Sequence, residues 1–336
     1  MTRSLVIAPQ WIGDAVMTEP LLRHLQARGE RITVGALPWV APVYRAMPER
    51  VHSVLEFPFA HGGLQWSARR HWARQLRQQF DVAYVCPNSF KSALLPWWAG
   101  IPQRVGYHGE SRYGVLTHRL PNPPKDARPP MVPFYLALGG DAMDTAVEPR
   151  LVMDAVQVDA TLAGMHLQRQ GYYAFAPGAE YGPAKRWPAQ HFAVLAEQLP
   201  LPVVLLGSAK DADVCNAIAH TVNQARPGHC QNWAGHTTLE HAMAALAGAR
   251  AVVTNDSGLM HVAAALQIPQ VAVFGSSSPL HTPPLSSVAH VVWLKNDLTY
   301  EPPLQCAPCY ARECPLGHTR CLVDIQPEDV LRWLSQ

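Results

Sequence analysis

The sequence carries little charge for its length and few lysines. Charged residues make up 15% of the 336 residues, the formal net charge is +2, and only five lysines accompany 22 arginines. Nucleic-acid-binding proteins need a strongly basic surface, which this charge balance does not favour. We therefore expect no nucleic-acid partner.

Long apolar segments are also missing. No stretch approaches the roughly 18 uncharged apolar residues that a membrane-spanning helix needs. The apolar run near the first residue is too short for a signal peptide. These absences predict a cytoplasmic protein.

Two common phosphate-binding motifs are absent as well. The GxxxxGK[ST] spacing of P-loop proteins does not occur, and no GxGxxG follows the first predicted strand of either half. The second absence argues against a nicotinamide-dependent dehydrogenase. Any phosphate site must be built from other turns.

Short apolar runs alternate with amphipathic stretches along the chain. One series starts at Leu5–Ala8 and a second at Tyr172–Ala176, and a proline-rich segment at 120–130 interrupts the first. This rhythm predicts an α/β fold with two Rossmann-like domains. We predict a first domain at residues 1–160, a second at 161–326 and a C-terminal helix at 327–336. In such sheets ligands bind at the carboxyl ends of the strands, so a cleft between the domains is the expected site.

Asp14 follows the first predicted strand, close to a helix expected to begin near Ala15. A carboxylate at this point caps helices in many proteins, because it accepts hydrogen bonds from the first N–H groups. It is also placed to act as a general base toward a bound hydroxyl. The residues alone leave both interpretations open.

Two turns of the second half carry candidate phosphate-binding residues. In PGAEYGPAKRWP, Lys185 stands just before a predicted helix. In TNDSGLMH, backbone N–H groups near Ser257 and Gly258 open a helix, and His261 lies four residues after Ser257 on the same face. Asp256 would repel a diphosphate, so we expect it to cap the helix, to pair with Lys185 or to bind a sugar hydroxyl.

A basic helix is predicted at residues 67–80, with an apolar stripe and the arginines Arg70, Arg74 and Arg77 opposite. It is either an ordinary surface helix or a contact for anionic groups of a substrate or membrane leaflet. Lys91 follows the fourth predicted strand, so we expect it to bind the acceptor substrate.

Four of the seven cysteines, Cys306, Cys309, Cys314 and Cys321, lie close together near the end of the chain. They could ligate a structural metal such as zinc, remain reduced thiols in a compact loop, or form a redox or iron–sulfur site. Their spacing matches no common zinc-finger pattern. No catalytic metal is expected.

The stretches PQWIGDAVMTEPLL, PGAEYGPAKRWP and TNDSGLMHVAAAL resemble the ADP-heptose:lipopolysaccharide heptosyltransferases, above all those that add the second heptose. The resemblance spans both halves. It implies the glycosyltransferase-B architecture, with the acceptor bound mainly by the first domain and the nucleotide sugar by the second. It also implies inversion at the anomeric carbon without a catalytic cofactor.

Carried over to this sequence, the resemblance makes Asp14 the general base and Lys185 a diphosphate contact, and it places Asp256, Ser257, Gly258 and His261 around the diphosphate and the donor heptose. The expected reaction moves a heptose from ADP-heptose to the first heptose of heptosyl-Kdo2-lipid A, beside the cytoplasmic leaflet of the inner membrane. Three alternatives remain: transfer to another inner-core position, a nucleotide-sugar epimerase, and a non-catalytic nucleotide-binding protein.

Overall fold

The chain folds into two compact units, Met1–Val152 and Met153–Gln336. The structure is a computed structural model that describes residues 1–59, 63–124, 127–140 and 147–334. The predicted domain boundary at residue 160 falls inside a helix of the second unit, Ala155–Gly164.

The first unit is built on a six-stranded parallel sheet with the order β3-β2-β1-β4-β5-β6. Its two central strands, β1 and β4, are largely buried because helices cover both faces of such a sheet. The strands are β1 (Arg3–Ile7), β2 (Arg31–Ala36), β3 (Ser53–Glu56), β4 (Val82–Val85), β5 (Gln103–Tyr107) and β6 (His118–Leu120).

The helices of the first unit follow the strands in turn. Where the sequence predicts a single helix that begins near Ala15, the structure has two helices that meet at Thr18. Pro20 is the reason, because it has no N–H to continue the hydrogen-bond ladder and is tolerated only in the first turn of a new helix. The helices are α1 (Ile12–Met17), α2 (Glu19–Ala27), α3 (Ala41–Arg45), α4 (Trp66–Gln75), α5 (Phe90–Trp98) and α6 (Met131–Leu136).

The second unit repeats this arrangement. Its parallel sheet has the order β12-β11-β10-β7-β8-β9, formed by β7 (Tyr173–Ala176), β8 (Val203–Leu205), β9 (Cys230–Asn232), β10 (Ala251–Asn255), β11 (Gln270–Val273) and β12 (Ala289–Val292). Its helices are α7 (Ala155–Gly164), α8 (Ala189–Gln198), α9 (Ala212–Ala225), α10 (Leu239–Gly248), α11 (Gly258–Ala265), α12 (Arg320–Val323) and α13 (Pro327–Leu334). Helix α13 begins at the predicted residue, Pro327, and residues 335–336 of the predicted helix lie outside the described residues.

Both sheets have the Rossmann strand order, so the predicted fold of two parallel α/β sheets is confirmed. In each sheet the order reverses beside the unit's first strand, between β1 and β4 and between β7 and β10. Ligands of such folds bind outside the carboxyl ends of the strands at this switch point. The loops that follow these four strands therefore hold the candidate site residues of each unit.

Three short strands, β5, β6 and β9, are not visible in the hydrophobic pattern. Strands β6 and β9 lie at sheet edges, and their sequences, HRL and CQN, are mostly polar. An edge strand needs little apolar surface because only one neighbour pairs with it.

The proline-rich segment has no regular element at 121–124 or 127–130, and residues 125–126 lie outside the described residues. None of the helices in the described part of the chain is long and apolar enough to span a bilayer.

Candidate active site

Asp14 lies in the first turn of α1, near the carboxyl end of β1. The helix begins at Ile12 with Trp11 as its N-cap, so the predicted start near Ala15 and the interpretation of Asp14 as the N-cap are wrong. Asp14 is the third residue of the helix, where a negative charge still interacts favourably with the helix dipole. Its side chain is half-buried rather than fully solvated.

A buried tyrosine holds this carboxylate. The hydroxyl of Tyr135, in α6, donates a hydrogen bond of 3.0 Å to Oδ1 of Asp14. Burial and the nearby Asp14 charge raise the pKa of Tyr135 well above its usual value, so the phenol stays protonated and remains a donor. The sequence did not indicate this partner, because 121 positions separate the two residues.

Lys91 lies on the rim of a recess in the same unit. The recess opens to solvent at the carboxyl ends of β1, β2 and β4. Gln10 and Ser89 contribute polar groups to its lining, and Phe57 contributes apolar surface. Lys91 is half-buried there, at the second residue of α5. The predicted acceptor-binding lysine thus lines a concave surface at the switch point of the first sheet.

In the second unit, the loops after β7, β10 and β11 bring together three polar side chains. Asp256 is buried, and its Oδ2 accepts a hydrogen bond from Nζ of Lys185. The same oxygen accepts a 2.5 Å hydrogen bond from the hydroxyl of Ser277. Of the three roles open for Asp256 in the sequence, the structure shows the ion pair with Lys185.

Two contacts fix the turn that carries Lys185. Asn255, the last residue of β10, accepts a 3.0 Å hydrogen bond from the backbone N–H of Trp187 and donates one of 2.6 Å to the carbonyl of Pro177. Gly182 passes so close to Arg312 that a Cβ atom there would lie 2.4 Å from its carbonyl oxygen. Only glycine fits at that point without a backbone shift.

The N terminus of α11 presents unpaired donors. Ser257 is the N-cap residue, but its side chain makes no capping hydrogen bond. Its buried hydroxyl has no hydrogen-bond partner among the described residues. The first backbone N–H groups of a helix, here starting at Gly258, also have no partner within the helix. Together these groups can bind an anion such as a phosphate.

His261 is buried in α11, near the ion pair of Asp256 and Lys185. Burial lowers the pKa of His261 to about 4. The Asp256 charge opposes this shift, and the Lys185 charge adds to it. The imidazole is therefore neutral at pH 7. It can contribute a hydrogen bond to a ligand but not the positive charge that would come from an imidazolium.

The loop after β8 lies beside the loop after β7. A Cβ atom at Gly178 would be 2.4 Å from the carboxylate of Asp211, which accepts hydrogen bonds from the backbone N–H and the hydroxyl of Ser208.

The four clustered cysteines line one small cavity together with His318. All are free thiols. Burial raises the pKa of Cys314, but hydrogen bonds from the backbone N–H groups of residues 316–319 outweigh it and lower the pKa below its usual value. In the described ranges, no three His, Cys, Asp or Glu side chains are placed to hold a metal ion. As placed, the cysteines do not fit a ready metal centre, so structural zinc stays a prediction for metal analysis of purified protein.

The cysteine-bearing loop supports the candidate phosphate site. The backbone N–H of Ala184 donates to the carbonyl of Arg312 at 3.0 Å, and that of Tyr310 donates to the carbonyl of Ser276 at 2.7 Å. Ala184 and Ser276 are direct neighbours of Lys185 and Ser277. The sequence missed Ser277 as a partner of Asp256, although a run of three serines after a buried strand was a usable signal.

The fold and these sites define a class before any comparison is made. One Rossmann-like sheet carries a positioned carboxylate at its switch point, and the other carries a lysine and a helix N terminus suited to phosphates. This combination is typical of group-transfer enzymes that use an activated nucleotide donor.

Comparison with known proteins identifies the family. Residues 69–319 match the model of glycosyltransferase family 9 (heptosyltransferase). The chain is 43% identical to lipopolysaccharide heptosyltransferase 2 of Escherichia coli K12, over 98% of this chain and 97% of the relative. It is 38% identical to lipooligosaccharide heptosyltransferase 2 of Haemophilus influenzae, over 99% and 98%. The chain therefore belongs to glycosyltransferase family 9 and is a glycosyltransferase.

A solved structure supports the same assignment. The structure of E. coli ADP-heptose lipopolysaccharide heptosyltransferase II superposes with a TM-score of 0.84 at 41% identity, covering 99% of this chain and 97% of that one. A family 9 glycosyltransferase from Veillonella parvula, at 21% identity, shares the fold with a TM-score of 0.75. The resemblance to the heptosyltransferase family and the glycosyltransferase-B fold is confirmed.

Proposed function

We propose that this protein is an inverting heptosyltransferase that moves L-glycero-D-manno-heptose from ADP-heptose to the first heptose of heptosyl-Kdo2-lipid A. The observation that carries the proposal is the similarity to heptosyltransferase 2 proteins across 98% of the chain, through both units. Membership of a glycosyltransferase family favours this function over the epimerase and the non-catalytic protein.

On the donor side, the second unit would bind the diphosphate of ADP-heptose. Lys185 supplies a positive charge, and the hydroxyl of Ser257 and the N–H groups beginning at Gly258 supply hydrogen bonds. As the bond from the sugar to the diphosphate breaks, negative charge grows on the leaving oxygen, and fixed donors stabilise it. Neutral His261 adds a hydrogen bond at the same helix.

Asp256 would act on this site in two ways. Its ion pair keeps Lys185 in place before the ligand binds, so that less conformational freedom is lost on binding. Lys185 and Ser277 both donate their hydrogen bonds to Oδ2 of Asp256, and neither of these bonds goes to Oδ1. That oxygen is suited to a hydroxyl of the donor heptose.

On the acceptor side, Asp14 would serve as the general base. It would take the proton of the acceptor hydroxyl while that oxygen attacks the anomeric carbon from the face opposite the diphosphate, which inverts the configuration. The hydrogen bond from Tyr135 keeps the carboxylate in one orientation. These residues provide base and leaving-group stabilisation, so the proposal includes no catalytic metal, and transfer should be unchanged in EDTA.

The test is a transfer assay with three acceptors, Kdo2-lipid A carrying zero, one or two heptoses. We expect ADP release and a product heavier by one heptose with the one-heptose acceptor. Faster transfer to either of the others would assign another inner-core position. Turnover of ADP-heptose without acceptor would indicate an epimerase, and binding without turnover a non-catalytic protein.

We also propose that the protein acts at the cytoplasmic face of the inner membrane. Arg70, Arg74 and Arg77 are exposed on and just after α4, and the nearby tryptophans Trp66 and Trp97 are exposed too. Arginine and tryptophan side chains together suit an anionic membrane surface. The protein should sediment with anionic vesicles and not with zwitterionic ones, and replacing the three arginines by Gln should remove the difference.

A further inference from the structure

Arg69, in α4, is buried although its neighbour Arg70 is exposed. Its relative exposure is 6%. Its Nε donates a 2.7 Å hydrogen bond to the carbonyl of Leu64, and its guanidinium lies 4.2 Å from the centre of the Phe59 ring. These contacts place the planar group but do not neutralise it.

No carboxylate compensates this charge within the described part of the chain. Burial lowers the pKa of Arg69, and no acidic side chain acts on it in the opposite direction. A buried charge without a counterion is strongly unfavourable, and buried arginines are usually paired for this reason. Nη1 of Arg69 also lies 3.5 Å from the carbonyl oxygen of Lys91, so its hydrogen bonds, like those of the buried Arg112, go to neutral acceptors.

Arg69 faces the recess that Lys91 also lines, at the carboxyl ends of β1, β2 and β4. None of the described residues that line this recess is acidic. Two cations therefore share one concave surface with polar groups from Gln10 and Ser89 beside them. A guanidinium can donate two parallel hydrogen bonds to the oxygens of a carboxylate or a phosphate, which is the ligand geometry that this surface fits.

We propose that this recess is a subsite for one acidic group, a carboxylate or a phosphate, of the acceptor glycan, and that Arg69 is the residue that selects it. The inference rests on the proposed function. Gln10, which lines the recess, lies four positions before Asp14 in the loop and helix that follow β1. An acid held by Arg69 is therefore bound at the same carboxyl end of the sheet as the general base. Arg69 is thus a positioning residue for the acceptor hydroxyl.

The test pairs a protein change with a ligand change. Wild type and Arg69→Gln are assayed with the acidic acceptor, with an acceptor whose Kdo carboxylates are methyl esters, and with a dephosphorylated acceptor. We expect Arg69→Gln to lower kcat/KM for the acidic acceptor by about 10- to 100-fold, mainly through KM, because a charge-assisted hydrogen bond is lost. If the difference between wild type and Arg69→Gln disappears with the methyl-ester acceptor, the bound acid is a carboxylate. If it disappears with the dephosphorylated acceptor, the bound acid is a phosphate.

Two further variants separate this role from a structural one. Arg69→Lys keeps the charge without the paired donors, so an intermediate KM is expected. Arg31→Gln, which changes an exposed arginine at the amino end of β2, should leave the dependence on the acceptor acid unchanged. If Arg69→Gln loses the same factor on acidic and neutral acceptors alike, the residue only supports the fold and the proposal is overturned.

A binding measurement distinguishes failure of the subsite from failure of the proposed function. Calorimetric titration with the soluble heptosyl-Kdo2 fragment needs no donor and no turnover. Acid-dependent binding that Arg69→Gln weakens would uphold the subsite even if no acceptor were glycosylated. Transfer by the wild type with no dependence on any acid of the acceptor would overturn the subsite and leave the proposed function intact.

Discussion

The two units share a strand order but differ in how the cations of their candidate binding sites are compensated. In the second unit, Lys185 is paired with Asp256 before any ligand arrives. In the first unit, Arg69 is buried without a described carboxylate partner. A pre-paired lysine is already oriented, whereas an uncompensated arginine gains most when an anion binds. This difference agrees with the two proposals above, a diphosphate site in the second unit and selection of an acidic ligand in the first.

The groups proposed to take part in the reaction also differ between the two units. Asp14, in the first unit, accepts a hydrogen bond from a buried tyrosine, whereas the proposed diphosphate site of the second unit offers backbone N–H groups and a neutral histidine. If the first unit supplies the base and the second only binds the nucleotide, substitutions in the two units must affect different steps. The following experiments test that division.

The largest effect is expected from Asp14→Asn. The amide cannot take the proton of the acceptor hydroxyl, so kcat should fall by about 10²- to 10⁴-fold. The Kd for ADP should not change, because the nucleotide is assigned to the other unit. Steady-state kinetics and calorimetry measure the two quantities. Asp81→Asn, an exposed carboxylate paired with Arg3, is the control. Near-normal transfer by Asp14→Asn would contradict the role of base.

The second effect concerns the pH dependence of stability. His261 has a pKa of about 4 when folded and an ordinary value near 6.5 when unfolded. The unfolded chain therefore binds the proton first as the pH falls, and stability is lost between pH 6.5 and about 4. Across this pH range the free energy of unfolding should fall by roughly 3 kcal/mol. Urea unfolding at pH 7 and pH 4.5 should show a smaller loss in His261→Asn than in wild type, and parallel losses would refute the shift.

The third effect is on nucleotide affinity. Lys185→Ala should raise the Kd for ADP by about 10- to 100-fold, because one charge-assisted contact to the diphosphate is removed. Adding Asp256→Asn should restore stability, since it removes the buried carboxylate left unpaired, but should not restore binding. Lys295→Ala, an exposed lysine in the same unit, is the control. Unchanged ADP affinity in Lys185→Ala would remove the lysine from the donor site.

The smallest effect is expected from Tyr135→Phe. One hydrogen bond to Asp14 disappears while the ring remains, so kcat should fall by less than about 10-fold and ADP binding should not change. Tyr107→Phe is a matched control, since Tyr107 is also buried and its hydroxyl donates to the carbonyl of Phe134. Equal losses in both variants would show a general packing effect and not an effect on the base.

The sequence predicted the fold class and several strands closely, because buried parallel strands are continuous apolar runs. The first strand, the strand at 173–176 and the C-terminal helix were placed within one or two residues. It failed at the start of α1, where the N-cap is an apolar residue, Trp11, that carries none of the usual capping chemistry. It also missed β5 and the two polar edge strands β6 and β9, whose sequences show no apolar pattern.

The site residues divide by the same logic. Lys185 and Asp256 were found because they follow predicted strands, and their pairing was one of the stated alternatives. Tyr135 and Arg69 were not found. A tyrosine far along the chain gives no local sign that it contacts Asp14. Arg69 precedes Trp72 by three positions and Leu76 by seven, which places it on the apolar face of the helix, and this signal was missed.

The amino-acid sequence alone determined that this protein has two parallel sheets with helices on their faces, because the spacing of apolar residues encodes the burial of each element. It also determined which turns follow the strands. Only the tertiary structure decided which charges are compensated, since that depends on contacts between residues distant along the chain. The ion pair of Lys185, the hydrogen bond from Tyr135 to Asp14 and the lack of a carboxylate beside Arg69 in the described part of the chain are all of this kind.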